Sequence, residues 1–268
     1  MANITIGQYY PENSIIHKLD PRVKLMGTLV FIILLFQIDT IFGYAVFTLI
    51  MAGVIKASKV PFKKLLKGIR GILFILLFSV VINIFMTPGH VLVEIGMVSV
   101  THEGLVKGGY IAVRLVYLVI CTSIMTLTTT PNNLADGLEK AFGFLKIIKF
   151  PVHEIAMIMS LALRFIPTLM EETDKITKAQ KARGARFDTG NILQKAKSLI
   201  PILIPLFISS IRRALDLATA MEARCYHNGN RTKMKPLRYA KRDYVAYFSY
   251  VIMIGAVLGS DMLLQVFM

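Results

Sequence analysis

Two arginines stand in near-copies of one tetrapeptide, Lys181-Ala182-Arg183-Gly184 and Glu222-Ala223-Arg224-Cys225, and lie 41 residues apart. The planar guanidinium fork pairs bidentately with carboxylates. Two forks at matched positions therefore suit acidic grooves on a partner. A cation in the last helical turn is also favoured by the helix dipole, by ~0.3–1 kcal/mol, which alone explains a single such ending. Other chemistry is sparse. His17, His90, His102, His153 and His227 show no HxxxH or HExxH spacing, so no metal site is expected. Cys121 and Cys225 make neither a disulfide framework nor a four-ligand zinc site. There is no GxxxxGK[ST], so this chain does not hydrolyse ATP in the P-loop manner. Asp136-Gly137 stands without a second acidic motif, and the apolar runs hold almost no acid, His or Ser cluster, which argues against a membrane enzyme.

The composition tells where such arginines sit. Of 268 residues 55% are hydrophobic and 18% charged, with mean hydropathy +0.61 and net charge +15. That apolar share exceeds the needs of one globular core and excludes disorder. A pI near 9.9 raises nucleic acid as a partner, but basic loops between membrane spans give the same charge. Sixteen of the 31 basic residues fall between 171 and 242 and nine precede residue 71, which is the pattern of loops. The first 24 residues, with Tyr9, Pro11, Asp20 and Pro21, do not read as a cleavable signal.

Apolar runs at 25–38, 41–55, 71–86, 108–130 and 244–268 predict five transmembrane helices in an all-α membrane protein. The first two are short for a span and extend through Arg22, Lys24 and Lys56 by snorkelling, which also accounts for Arg114 in the fourth. Lys18, Arg22 and Lys24 place the N-terminus in the cytoplasm. The segment 56–70, with six basic residues and no acid, is inside, and 88–103, with Glu94 and Glu103 but no Lys or Arg, is outside.

Runs at 152–170 and 199–211 are also apolar, yet their connector, 171–198, carries seven basic residues against four acids. As an external loop it would violate the charge rule. The chain thus divides into a four-span domain at 1–130, a cytoplasmic module of about three amphipathic helices at 131–243, and a last span at 244–268. Thr130-Pro131 marks a helix start, with Leu134, Leu138, Phe142 and Leu145 as its apolar stripe up to Pro151. Two helices of about thirty residues follow, ~45 Å each. The first ends at Gly184 and is kinked at Pro167, a polar turn covers 187–191, and the second ends near Cys225 before His227-Asn228-Gly229-Asn230.

These residues resemble one family. Paired Ala-Arg-Gly motifs ending cytoplasmic helices, with Leu19-Asp20-Pro21-Arg22-Val23-Lys24-Leu25 before the first span and Thr129-Thr130-Pro131 heading the first cytoplasmic helix, resemble the transmembrane T component of energy-coupling-factor (ECF) transporters. The likeness covers essentially the whole chain and departs at Cys225, where the family has glycine and where a left-handed ending is less comfortable. The resemblance implies a non-catalytic scaffold and coupling subunit of an ABC-type importer in the cell membrane. Arg183 and Arg224, flanked by Ala182, Gly184, Ala223 and Cys225, would enter grooves of two ABC ATPase subunits. Those partners would carry the ATP and Mg, leaving this chain without a cofactor. A small substrate-binding membrane protein, the S component, would rest on the coupling helices and deliver a vitamin or other micronutrient.

Two further surfaces fit that picture. Ser210, Ala214 and Ala218 recur every fourth residue and permit close crossing of the two long helices. Ile155, Met159, Leu163, Leu203 and Phe207 would form the apolar platform for the S component, with methionines adapting to exchangeable partners. The alternative is a secondary transporter or channel with a basic cytoplasmic domain, which would show inverted repeats or broken helices; only the arginine-tipped helices repeat.

Overall fold

The structure is a computed structural model describing residues 9–38, 40–95, 98–148, 150–185, 187, 191–226 and 236–267. The expected turns at Asp39, across 188–190 and at 227–230 lie outside the described residues. Among the described residues there are eight α-helices: α1 (Pro21–Gln37), α2 (Ile41–Ser58), α3 (Phe62–Met86), α4 (His102–Thr128), α5 (Pro131–Ala141), α6 (Val152–Ala182), α7 (Ile192–Ala223) and α8 (Lys241–Phe267). One antiparallel hairpin, β1 (Val91–Ile95) and β2 (Val98–Thr101), links α3 to α4 in this otherwise helical protein. Among the described residues six helices, α2, α3, α4, α6, α7 and α8, are long and apolar enough to cross a membrane. Shorter by a residue than α2, α1 is apolar all round (PRVKLMGTLVFIILLFQ), as a span can be. By length and apolarity α6 and α7 qualify too, so it is the charge of their connector that sets them apart.

The chain divides into two compact units. One comprises residues through Ile148 together with Leu237 onward, and the other Lys149–Pro236. The division thus falls after α5 and the 3₁₀ segment Phe142–Ile148, rather than at residues 131 and 244. Helix α5 packs on α1: a Cβ on Gly137 would lie 2.9 Å from the Pro21 ring. Thr130 caps it from the side chain and Pro131 is its first residue, as expected, but the helix tightens into 3₁₀ geometry at Phe142 instead of reaching Pro151. Gly143, a poor helix former, sits in that turn.

The first unit is built on α1. Asp20 starts the helix by accepting from the Arg22 backbone N–H (2.9 Å), and Pro21 supplies a first position that needs no donor. The same carboxylate grips the Arg22 guanidinium through both oxygens, at 3.0 Å each, while that guanidinium lies 4.0 Å over the Tyr239 ring. Buried Asp243 completes the knot: one oxygen accepts from the Asp20 N–H (2.9 Å) and the other from the Ala240 N–H (2.7 Å), tying the start of α8 to the start of α1. Buried Lys24 donates to the carbonyls of Thr128 (2.8 Å) and His17 (3.2 Å), placing a cation on the C-terminal end of α4. Leu-Asp-Pro-Arg-x-Lys is therefore a joint between four chain segments.

At the other end of α1, Arg114 has partners within the protein. It donates from Nε to the Tyr44 hydroxyl (3.1 Å) and from a terminal nitrogen to the Ile38 carbonyl (2.9 Å), closing α1 onto α2 and α4. Between the two joints lies a core of Phe31, Leu34, Leu35, Phe47, Met51, Ile124 and Val257, all buried. Helices approach closely where glycine allows. A Cβ on Gly27 would meet Tyr250, and one on Gly104 would sit 2.8 Å from the Ile84 carbonyl oxygen, between α4 and α3. Most of α3 is otherwise open, with Phe74 and Phe78 exposed.

In the second unit α6 and α7 run antiparallel. The Tyr226 hydroxyl donates to Met157 Sδ (2.9 Å), Glu172 meets Arg213, and Thr177 and Lys181 share a cleft with Leu199 and Ile202. Helix α6 continues through Pro167, and α7 through Pro201 and Pro205. Asn191 and Gln194 form a reciprocal capping box that fixes the start of α7.

Candidate functional site

Helices α6 and α7 end in the same hydrogen-bonded motif. After α6, the Gly184 N–H donates to the Lys181 carbonyl and the Ala185 N–H to the Gln180 carbonyl, both at 3.0 Å. After α7, the Cys225 N–H donates to the Glu222 carbonyl (2.8 Å) and the Tyr226 N–H to the Met221 carbonyl (2.9 Å). Both are Schellman endings, which need one residue in the left-handed region. Gly184 takes it at φ 89° and Cys225 at φ 55°. The thiol-bearing residue thus adopts the glycine-like conformation, because two orphan carbonyls are satisfied only that way. Arg183 and Arg224 occupy the same place in each motif, one residue before the left-handed position. Both are exposed, and among the described residues neither has an ion pair. Ala182 and Ala223, equally exposed, leave room around each guanidinium.

The two helices are pinned at one polar node. Arg213 donates to Glu172 Oε2 at 2.8 Å, and the Ser209 hydroxyl donates to Glu172 Oε1. Glu172 and Arg213 are 41 residues apart, the same offset as Arg183 and Arg224. Glu172 and Arg213 thus hold equivalent places in the two helices, and their opposite charges make the meeting an ion pair. Each motif arginine follows its member of the pair by 11 residues, so the node lies ~16 Å of helix from each tip.

Comparison with known proteins places this architecture. Residues 12–235 match the sequence profile of the family described as Cobalt transport protein, CbiQ. The chain is 51% identical over 260 residues to the Energy-coupling factor transporter transmembrane protein EcfT of Ruminiclostridium cellulolyticum, covering 94% of this chain and 97% of that one. It is 48% identical over 261 residues to the protein of the same name from Thermosediminibacter oceani (97% and 98% covered) and 44% over 255 residues to that of Bacillus subtilis (94% and 96%). The chain belongs to this family of ECF-transporter T components. It is a multi-pass membrane protein and a transporter subunit.

Other residues singled out in this T component have definite places. Ile155, Met159, Leu203 and Phe207 are exposed and Leu163 is half-buried, so α6 and α7 each present an apolar face. Ser210 is half-buried and bonds back to the Leu206 carbonyl, while Ala214 and Ala218 are exposed. The polar meeting with α6 runs through Ser209 and Arg213, one residue round the helix from the small-residue series. The node itself, the Asp243 cap and the Lys24 clamp escaped the sequence reading. Glu172–Arg213 had a visible signal, the repeated 41-residue offset, whereas nothing local marks Asp243 as the partner of Asp20. Among the described residues no cluster of His, Cys, Asp and Glu forms a metal centre.

Proposed function

We propose that this T component is the scaffold and coupling subunit of an ABC-type importer, with Arg183 and Arg224 as its contacts to two partner ATPases. The observation that carries this reading is the matched pair of Schellman endings. They present two exposed guanidinium forks, without an ion pair among the described residues and each 11 residues along its helix from the Glu172–Arg213 node. Guanidinium forks are suited to bidentate capture of carboxylates in a groove. The N-terminus and the Lys149–Pro236 unit face the cytoplasm, where basic segments belong. ATP and Mg bind on the partners. Exposed apolar faces around Ile155, Met159, Leu203 and Phe207 receive a substrate-binding S component, and ATP-driven displacement of α6 and α7 moves that subunit to deliver a vitamin or similar micronutrient.

The test is the double variant Arg183→Ala with Arg224→Ala in the assembled transporter. Uptake and coupled ATPase activity are lost while membrane insertion persists; normal uptake overturns the assignment. For orientation, a cysteine at Ala185 in a C225S background reacts with an impermeant reagent only from the cytoplasmic side. Labelling from outside instead makes α6 and α7 a spanning hairpin.

A further inference from the structure

The first unit contains a cavity of about 640 Å³ among α1, α2, α4 and α8, a size typical of small-molecule sites. Its walls are apolar, with Phe31, Val46, Ile50, Ile124 and Met253 among them. Among the described residues the charged ones lining it are Lys24 and Arg242, both in the first turns of their helices. Lining residues on α8 run from Arg242 to Ala256, ~21 Å of helix, against ~15 Å for half a bilayer's hydrocarbon core.

The charges at this end do not cancel fully: Lys24, Arg242 and Arg22 stand against the carboxylates of Asp20 and Asp243, which leaves one positive charge in excess. Asp20 is engaged by Arg22, and both Asp243 oxygens accept backbone N–H groups. Lys24 spends two of its three donors on neutral carbonyls, and Arg242 has no ion pair among the described residues. An apolar slot one leaflet deep, with two cations of a net-positive cluster at one end, is complementary to a single amphiphile with an anionic head. We infer that this cavity holds an acidic phospholipid, with one acyl chain between α1, α2 and α8 and its phosphate at Lys24 and Arg242. Basic pockets between membrane helices bind such headgroups. The inference requires only the membrane location and is independent of the ATPase contacts.

The experiment places the full chain in nanodiscs of equal phosphatidylglycerol and phosphatidylcholine, followed by release and native mass spectrometry. Phosphatidylglycerol is retained over phosphatidylcholine by about five-fold or more, and R242Q lowers its retention about five-fold. Because a Cβ on Gly53 meets open space, G53L fills the cavity without a clash and excludes both lipids, with the charges intact. Equal retention of the two lipids, or unchanged phosphatidylglycerol in either variant, overturns the proposal. So does a photoreactive group at Ser249 that captures a protein chain instead of lipid.

Discussion

The two units hold themselves together by different means. In the first, Val23, Leu35, Ile38, Phe47 and Met51 are essentially inaccessible, and the helix ends are tied by buried bonds spanning up to 223 residues of sequence. In the second, a 31-residue and a 32-residue helix bury little of their apolar surface. Their polar links among the described residues include the partly exposed cluster of Glu172, Ser209 and Arg213 and the Tyr226 hydroxyl on Met157 Sδ. Burial of apolar area drives association at about 25 cal/mol per Å², so the second unit has far less of it to hold one geometry. A bundle tied at both ends resists deformation. Two long helices held by few buried contacts leave their apolar faces for other chains or lipid.

The largest effect is expected where the first unit is tied. Asp243→Ala strips the acceptor from two buried backbone N–H groups, of Asp20 and Ala240. The loss is about 2–5 kcal/mol, read as a lowered thermal midpoint of the detergent-solubilised chain. An unchanged midpoint would erase the contrast between the units. The node of the second unit is worth less: Glu172→Gln should cost about 1 kcal/mol, because both partners remain partly exposed. E172R sets two arginines against each other and broadens the distance distribution between spin labels at 183 and 224. Combining it with R213E restores the distribution if the ion pair, and not the backbone alone, sets the spacing.

Smaller still is the change at Cys225. Relieving a non-glycine left-handed residue gains ~1 kcal/mol at most, since glycine's extra freedom in the unfolded chain offsets part of it. Cys225→Gly should thus raise the midpoint slightly and leave uptake intact, whereas a β-branched valine there lowers it. The smallest effect concerns pH. Burial holds the His17 ring below its ordinary pKa, with the Tyr10 carbonyl bond opposing. A lowered folded value means that the fold prefers the neutral ring, which donates from Nε2 to Tyr10 and is bonded at Nδ1 to Ser14. Its contribution is present above about pH 6.5 and lost as pH falls through the lowered value. The thermal midpoint therefore drops on acidification in the natural chain, and less so in His17→Asn.

How far each feature could be read in advance follows from its range. The start at Thr130-Pro131 and the stop at Gly184 are set within four residues of chain, and both appear as the residues suggest. The partners of Arg114 could not be read in advance, because its bonds to Ile38 and Tyr44 depend on what α1 and α2 place beside it. The small residues at 210, 214 and 218 mark a face on which helices can come close, but the register of α6 against α7 puts Ser209 and Arg213 at the polar meeting.

The amino-acid sequence by itself determined the apolar runs, the alternation of basic and base-free connections, and two arginine endings 41 residues apart. Each is a property of neighbouring residues, and hydropathy, capping and turn chemistry act at that range. Only the tertiary structure decided that Asp243 holds Asp20, that Lys24 closes α4, that Glu172 meets Arg213, and that Cys225 turns left-handed as Gly184 does. Those outcomes depend on which buried donors and carbonyls are left without water when helices distant in sequence come together, and that is known only once they have packed.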